Sequence, residues 1–364
     1  MKTFQKSIQS ELLKNFGGST VILSTIVITI MLIRILGLAS KGQADPSDVI
    51  LLIGLNSIGN AAPILTLSLF ITVVYTFSRM YLDSEMVIWF SSGISVTKFL
   101  RPLFNFAWPI FLIIGLLLLL AWPWSNYQTQ YLKEKFNQRG DIERVAPGQF
   151  QESASTGSVF FIEKNDGPNE ISRSVFISKK DGQVETVTTA KNGKIELVGN
   201  DRFISLKQGQ QTVINNQSGE VRITEFENFK YLIDSDKNRF NFDSYSQMKG
   251  TLELLQSNEA SNQGELFWRL GLLIAAVVLT LLAVQLASVN PRVGRSYSIA
   301  VALLCFVGYY NMITVGKRLI ADGSFSLAGM MITVHGTAMI IVLVWYLHTE
   351  FNLHWKRFIK SPSA

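Results

Sequence analysis

Six apolar stretches, each long enough to cross a bilayer, flank one polar insert in the order three, insert, three. They lie at 19–39, 49–78, 103–124, 270–291, 296–316 and 323–347. At about 1.5 Å per residue, each matches a hydrocarbon layer of about 30 Å. Five of the six contain no Lys, Arg, Asp or Glu, and the first contains only Arg34. A soluble core could absorb one or two such stretches, but not all of them. The sequence therefore predicts an α-helical integral membrane protein with six transmembrane helices. Its parts are 1–124 with the first three helices, 125–264 as the insert, and 265–364 with the last three helices and a tail. An odd number of spans before the insert puts the insert and the N-terminus on opposite sides of the membrane.

Charge supports this and orients the chain. Only 16% of residues are charged and 48% are hydrophobic, against about 25% charged in soluble domains. A net charge of +6 would suggest nucleic acid in a soluble protein. Here it comes from the flanks of the spans. With the N-terminus inside, short inside segments carry Lys2, Lys6, Lys14, Arg79, Lys98, Arg101, Arg292, Arg295, Lys356, Arg357 and Lys360. The short outside loops carry Lys41, Lys317 and Arg318. Positive residues collect on the cytoplasmic side, so both termini are expected there and the insert outside the inner membrane. Gly37 and Ala39 are placed like a signal-cleavage site. The preceding apolar run is longer than a signal core and follows a long N-terminal region, which disfavours cleavage.

The insert reads as β-structure. Runs rich in Val, Ile, Phe and Thr recur at 158–162, 174–178, 183–189, 194–198, 202–206, 211–214 and 220–226. Turn signals separate them: Asn165-Asp166-Gly167, Asp181-Gly182, Asn192-Gly193, Gly199-Asn200-Asp201, Gln208-Gly209 and Ser218-Gly219. Asn-Gly and Asp-Gly suit tight hairpins because both central residues tolerate positive φ. This rhythm predicts an antiparallel sandwich or roll. Alternation gives it an apolar face with Phe161, Val175, Ile177, Ile195 and Leu206 as candidates. That face fits either a dry core or a groove open to lipid. Helices are expected at 125–139 and 244–258. The only cysteine, Cys305, lies in the fifth span, so no disulfide within the chain can staple the insert.

No catalytic constellation is present. There is no G-x-x-x-x-G-K-[ST] loop to hold nucleotide phosphates and no zinc-ligand spacing. Of three histidines, His335 lies within the sixth span, where a packing role suffices. The cytoplasmic segments are too short for an enzyme domain. The chain is read as non-catalytic, with no cofactor of its own.

The most informative cytoplasmic segment is the loop 79–101. Asp83 or Ser84 can cap a helix and Gly93 can end it. Leu82, Met86, Trp89 and Phe90 fall on one helical face. Glu85 lies in the first turn, where the helix dipole favours an anion. A helix lying on lipid accounts for the apolar face. A carboxylate beside an anionic leaflet suits docking on a soluble partner better.

This segment, Leu82-Asp83-Ser84-Glu85-Met86 through Gly93, resembles the coupling-helix region of the LptF/LptG lipopolysaccharide export permeases. Ala146-Pro147-Gly148-Gln149-Phe150 before the sheet, Glu265-Leu266-Phe267-Trp268-Arg269 at the fourth span and Val289-Asn290-Pro291-Arg292-Val293-Gly294-Arg295 after it agree. The resemblance covers essentially the whole chain. The Asp-Ser-Glu-Met form and the Asn-Pro-Arg-x-Gly-Arg loop favour the LptF side over LptG. The resemblance implies a permease subunit that pairs with its paralogue LptG and with two copies of the ATPase LptB, which binds the ATP and Mg. The pair would take lipopolysaccharide from the inner membrane and pass it through β-jellyroll domains to LptC and LptA. Glu85, Met86 and Trp89 are then expected to contact the ATPase, and Phe161 and Ile177 to line the acyl-chain route.

The outer cations run against the charge trend. Arg34, Lys41, Lys317 and Arg318 fit snorkelling to phospholipid headgroups. They also fit recognition of the phosphates of lipid A, for which the Arg fork is suited, with spans one and five flanking the cavity that admits it. Two further classes compete with a transporter. A sensor would pair an outer domain with spans, but would need a cytoplasmic output domain. A membrane enzyme acting on lipid would want acidic or His residues at the membrane surface.

Overall fold

The computed structural model describes residues 2–40, 44–93, 95–137, 150–152, 158–162, 172–198, 201–234, 245–288 and 295–351. The N-terminal helices are α1 (Lys2–Ser40), α2 (Val49–Leu82), the short α3 (Glu85–Ser91) and α4 (Leu100–Leu116). A π-helical turn, Leu117–Ala121, joins α4 to α5 (Trp122–Asn137). After the sheet come α6 (Thr251–Gln256), α7 (Ala260–Leu286), α8 (Arg295–Ala321) and α9 (Leu327–Met331). A second π-helical turn, Ile332–Gly336, leads into α10 (Thr337–Phe351).

Six helical segments are long and apolar enough to cross a membrane: Lys6–Ser40, Pro46–Leu82, Val96–Phe136, Ala260–Leu286, Ser296–Ala321 and Leu327–Thr349. These are the six spans read from hydropathy. The helix expected at 125–139 is a continuation of the third span. The helix expected at 244–258 is shorter, because residues 245–250 form turns and only Thr251–Gln256 is helical.

The chain forms two compact units. One comprises 1–29, 55–127 and 243–364; the other comprises 30–54 and 128–242. The first is the membrane unit. Its core is continuous from Leu12 through Phe70, Phe77, Met86 and Phe99 to Phe267 and Ile313. α7 is its central helix, with most of its apolar length buried, whereas α1 is largely uncovered. Ile8 and Leu12 of α1 are buried, but Val21, Ile22 and Ile26 are exposed. That apolar surface exists to meet lipid or another helix.

The second unit holds the sheet: β1 (Phe150–Glu152), β2 (Ser158–Ile162), β3 (Ser172–Asp181), β4 (Val184–Val198), β5 (Asp201–Asn215) and β6 (Val221–Asp234). The strands pair antiparallel in chain order, leaving β1 and β6 as edges among the described residues. Asp181-Gly182 and Ser218-Gly219 do turn the chain, with Gly182 and Gly219 at φ of 61° and 71°. Asn192-Gly193 and Gln208-Gly209 do not. β4 and β5 run straight through them as strands of 15 residues each.

The reason is packing on both sides of each glycine. A Cβ on Gly193 would lie 2.7 Å from Val175 Cγ2, and one on Gly209 would collide with the Thr189 carbonyl. These glycines permit close approach within a strand. Beside them, the pairing passes over Ser174, Lys191, Gln208 and Glu227 in four adjacent strands, and Ser174 and Gln208 have positive φ. Across this line Val175, Ile177, Ala190, Ile204 and Leu206 still reach one common core, with Phe226, Phe229 and Tyr231 against it. Asn165-Asp166-Gly167, Gly199-Asn200 and the segment Ala146–Gln149 lie outside the described residues.

Candidate functional sites

The membrane unit carries a buried ionic network at the N-terminal end of α7. Glu265 and Arg269 stand one turn apart on α7 and are both fully buried. Arg269 Nε donates to Glu265 Oε1 at 2.9 Å, and Trp122 Nε1 donates to the same oxygen at 2.8 Å. Lys317 Nζ of α8 donates to Glu265 Oε2 at 2.5 Å and lies 5.7 Å from the centroid of the Trp268 ring. Arg269 Nη1 donates to Thr251 Oγ1 at 3.0 Å, and Nη2 donates to the carbonyls of Gln247 and Ser246 at 3.2 and 3.4 Å. Thr251 Oγ1 in turn donates to the Leu119 carbonyl at 2.8 Å.

The approach of α8 depends on Gly264. A Cβ there would stand 2.5 Å from the Lys317 carbonyl oxygen. Two cations share one carboxylate, so the network keeps a surplus positive charge. Lys317 is its partly exposed member, at 21% side-chain exposure. The network also fastens the chain on both sides of its excursion into the second unit, at Trp122 before it and at Ser246, Gln247 and Thr251 after it. The sequence alone presents the Glu-Leu-Phe-Trp-Arg run as a family motif. Its i, i+4 spacing was the signal that a pair lay there.

The second candidate site centres on α3. Met86 is fully buried in the bundle core, so it anchors α3 to its own subunit and is turned away from any partner. Trp89 is half-buried and packs against the same core. In this conformation Met86 is not free to fill a partner's groove, while Trp89 stays half-buried. Of the face read from Leu82, Met86, Trp89 and Phe90, only Met86 and Trp89 are spent on the bundle core; Phe90 is exposed, and Val87 and Ile88 are each 64% exposed. Glu85 is not isolated either, because Arg79 Nη1 donates to its Oε1 at 2.8 Å.

The remaining site candidates scatter. Arg34 is exposed on α1. Arg318 is exposed and has no ion pair among the described residues. Lys41 lies outside the described residues. Ile177 is buried in the sheet core. Phe161 is on the other face, because the register pairs Phe160 with Ile177 and Phe161 with Phe176. Its ring lies 4.7 Å from that of Phe150, so Phe161 and Ile177 do not line one surface.

Six apolar helices with an inserted antiparallel sheet define a multi-pass helical membrane protein carrying a β-domain. Residues 6–348 match the family model described as lipopolysaccharide export system permease LptF/LptG. The chain belongs to this family and is a multi-pass inner-membrane permease subunit of lipopolysaccharide export. It is similar to the lipopolysaccharide export system permease protein LptF of Escherichia coli (strain K12), with 28% identity over 77% of this chain and 76% of that protein. The LptF of Shigella flexneri is similar to the same extent.

Proposed function

We propose that the chain is the LptF-type subunit of an ATP-driven exporter, paired with LptG and driven by two copies of LptB, which hold the ATP and Mg. Both termini are cytoplasmic, and the sheet lies in the periplasm, where it passes lipopolysaccharide toward LptC and LptA. The observation that carries this reading is α3, a short helix anchored through Met86 with Val87 and Ile88 exposed beyond it. Such a helix suits docking in a groove of a soluble ATPase. The exposed apolar side of α1 suits a paired membrane subunit. A single purification tests the assignment. The tagged chain should bring an ATPase, a second permease and bound lipopolysaccharide with it. Purification of the chain alone from cells making all subunits would refute it.

Substrate phosphate is assigned to the outer cations. Arg34 is exposed on α1, and Arg318 is exposed on α8 beside Lys317, which is bound to Glu265 but partly exposed. Neighbouring cations attract a divalent anion that can satisfy both. Arg34→Glu is expected to cut the lipopolysaccharide retained by the purified complex about ten-fold or more, the scale of losing a charge-assisted contact. Arg34→Lys should be milder, because a point charge replaces the fork. Assembly with the ATPase should be unchanged in both. Normal retention in an assembled Arg34→Glu complex would return Arg34 to simple snorkelling.

The sheet edge offers the handover. Among the described residues β6 is an edge strand, and Val221 and Ile223 on it are 56% and 63% exposed. Unpaired edges invite a strand from a partner. Photo-crosslinkers at Val221 and Ile223 are expected to capture a periplasmic β-domain protein during active transport, more strongly than crosslinkers on β4. Equal or absent capture at the two places would remove β6 as the junction.

A further inference from the structure

We propose that Arg79 is a positioning residue that joins α3 to α1, so that movement of α3 is handed to the first span. This rests on the reading that α3 docks on an ATPase. One guanidinium holds both elements. Arg79 Nε and Nη2 donate to the two oxygens of Glu11 at 2.6 and 2.8 Å. Its Nη1 donates to Glu85 Oε1 at 2.8 Å and to Asp83 Oδ2 at 3.1 Å, and Nη2 reaches Glu85 Oε2 at 3.4 Å. The planar fork of arginine makes this double grip possible.

Three observations give the grip a mechanical meaning. The turn between α2 and α3 passes through Ser84 at φ 59°, a left-handed conformation for a residue with a Cβ. Such a conformation persists where its surroundings over-determine it, and Arg79 holds the residues on both sides of Ser84. Next, Glu11 opens a polar line along α1. Asn15 Nδ2 donates to Thr76 Oγ1 at 2.8 Å, and the hydroxyls of Ser19 and Thr72 are 2.8 Å apart. Residues 11, 15 and 19 recur every four positions, on one face of the helix. Last, α1 has little else to hold it within the membrane unit. Ile8 and Leu12 are buried and Phe16 meets Phe106, while Val21, Ile22 and Ile26 are exposed. A helix fastened mainly along one short line moves with that line.

The test uses the assembled complex with its ATPase in proteoliposomes, and reads ATP hydrolysis and lipopolysaccharide released per ATP. Glu11→Ala is expected to keep the ATPase bound and hydrolysis within about two-fold, while release per ATP falls about five-fold or more, the scale of an energetic coupling between sites. Arg79→Lys, which can serve one carboxylate at a time, should fall between wild type and Arg79→Ala. Adding Glu11→Ala to Arg79→Ala should cost nothing further, because one link has already been cut. Wild-type release per ATP in Glu11→Ala would overturn the link and leave ATPase docking standing. An equal fall in hydrolysis and release, in Glu11→Ala or in the gentler Glu11→Gln and Arg79→Lys, would make the cluster a structural brace and also overturn it. If Val87→Asp and Ile88→Asp leave the ATPase bound, the docking reading itself fails, and the link has nothing to transmit.

Discussion

Arg269→Ala is expected to destabilise the membrane unit by about 3–5 kcal/mol, the usual cost of removing one partner from a buried ion pair. The substitution leaves Glu265 fully buried with one cation instead of two. It also strips the carbonyls of Ser246 and Gln247 and the Thr251 hydroxyl of their donor. A folded membrane protein has only a modest margin, so loss of this size should appear as low yield and a lowered midpoint of thermal unfolding. Arg269→Lys should recover only part of the loss, because an ammonium cannot serve Glu265, Thr251 and two carbonyls at once. Lys317→Gln should be milder than Arg269→Ala, since Lys317 is partly exposed and Glu265 keeps Arg269 and Trp122. Thermal midpoints of the purified complexes rank the three. A midpoint for Arg269→Ala within a degree or two of wild type would mean that the network contributes little.

Val87→Asp with Ile88→Asp is expected to detach the ATPase while leaving the permease folded. Both side chains are exposed, so a carboxylate there costs the isolated subunit little. In the complex they would be buried. Covering an aliphatic side chain contributes about 1.5–3 kcal/mol, so losing two should weaken association by about a hundred-fold or more. Met86→Asp makes the contrast. It puts a charge into the bundle core and should reduce the amount of folded subunit instead of its affinity for the ATPase. Quantified co-purification against folded yield separates the two effects. Equal loss of affinity in both, with full folded yield, would show that Met86 faces the partner after all.

The sequence by itself determined the class of this protein. Six apolar runs of bilayer length, five of them without a charge, leave no soluble alternative, because each would expose its side chains to water at a cost no single core could offset. The Asp-Gly and Ser-Gly turns and the alternation of Val175 with Ile177 announced an antiparallel sheet, since a strand's two faces alternate by geometry alone. The family resemblance lay in short runs that keep their order along the chain. What the residues could not tell was direction.

Met86 and Ile88 are both apolar residues on one short helix. Only the position of the bundle made the first an anchor and left the second exposed. Asn192-Gly193 and Gln208-Gly209 have the composition of hairpin turns. They became strand interior because neighbouring side chains fill the space beside the glycines and the ladders continue past them. Phe161 and Ile177 were grouped as apolar, but pairing register put them on opposite faces. Lys317 was read as a cation awaiting an anion. Tertiary structure supplied Glu265, 52 positions earlier, and no local pattern encodes a partner so far along the chain. Periodicity and hydropathy act over a few residues and set the elements. Pairing of charges, choice of face and register depend on contacts between distant segments, and these were decided only when the helices and strands packed.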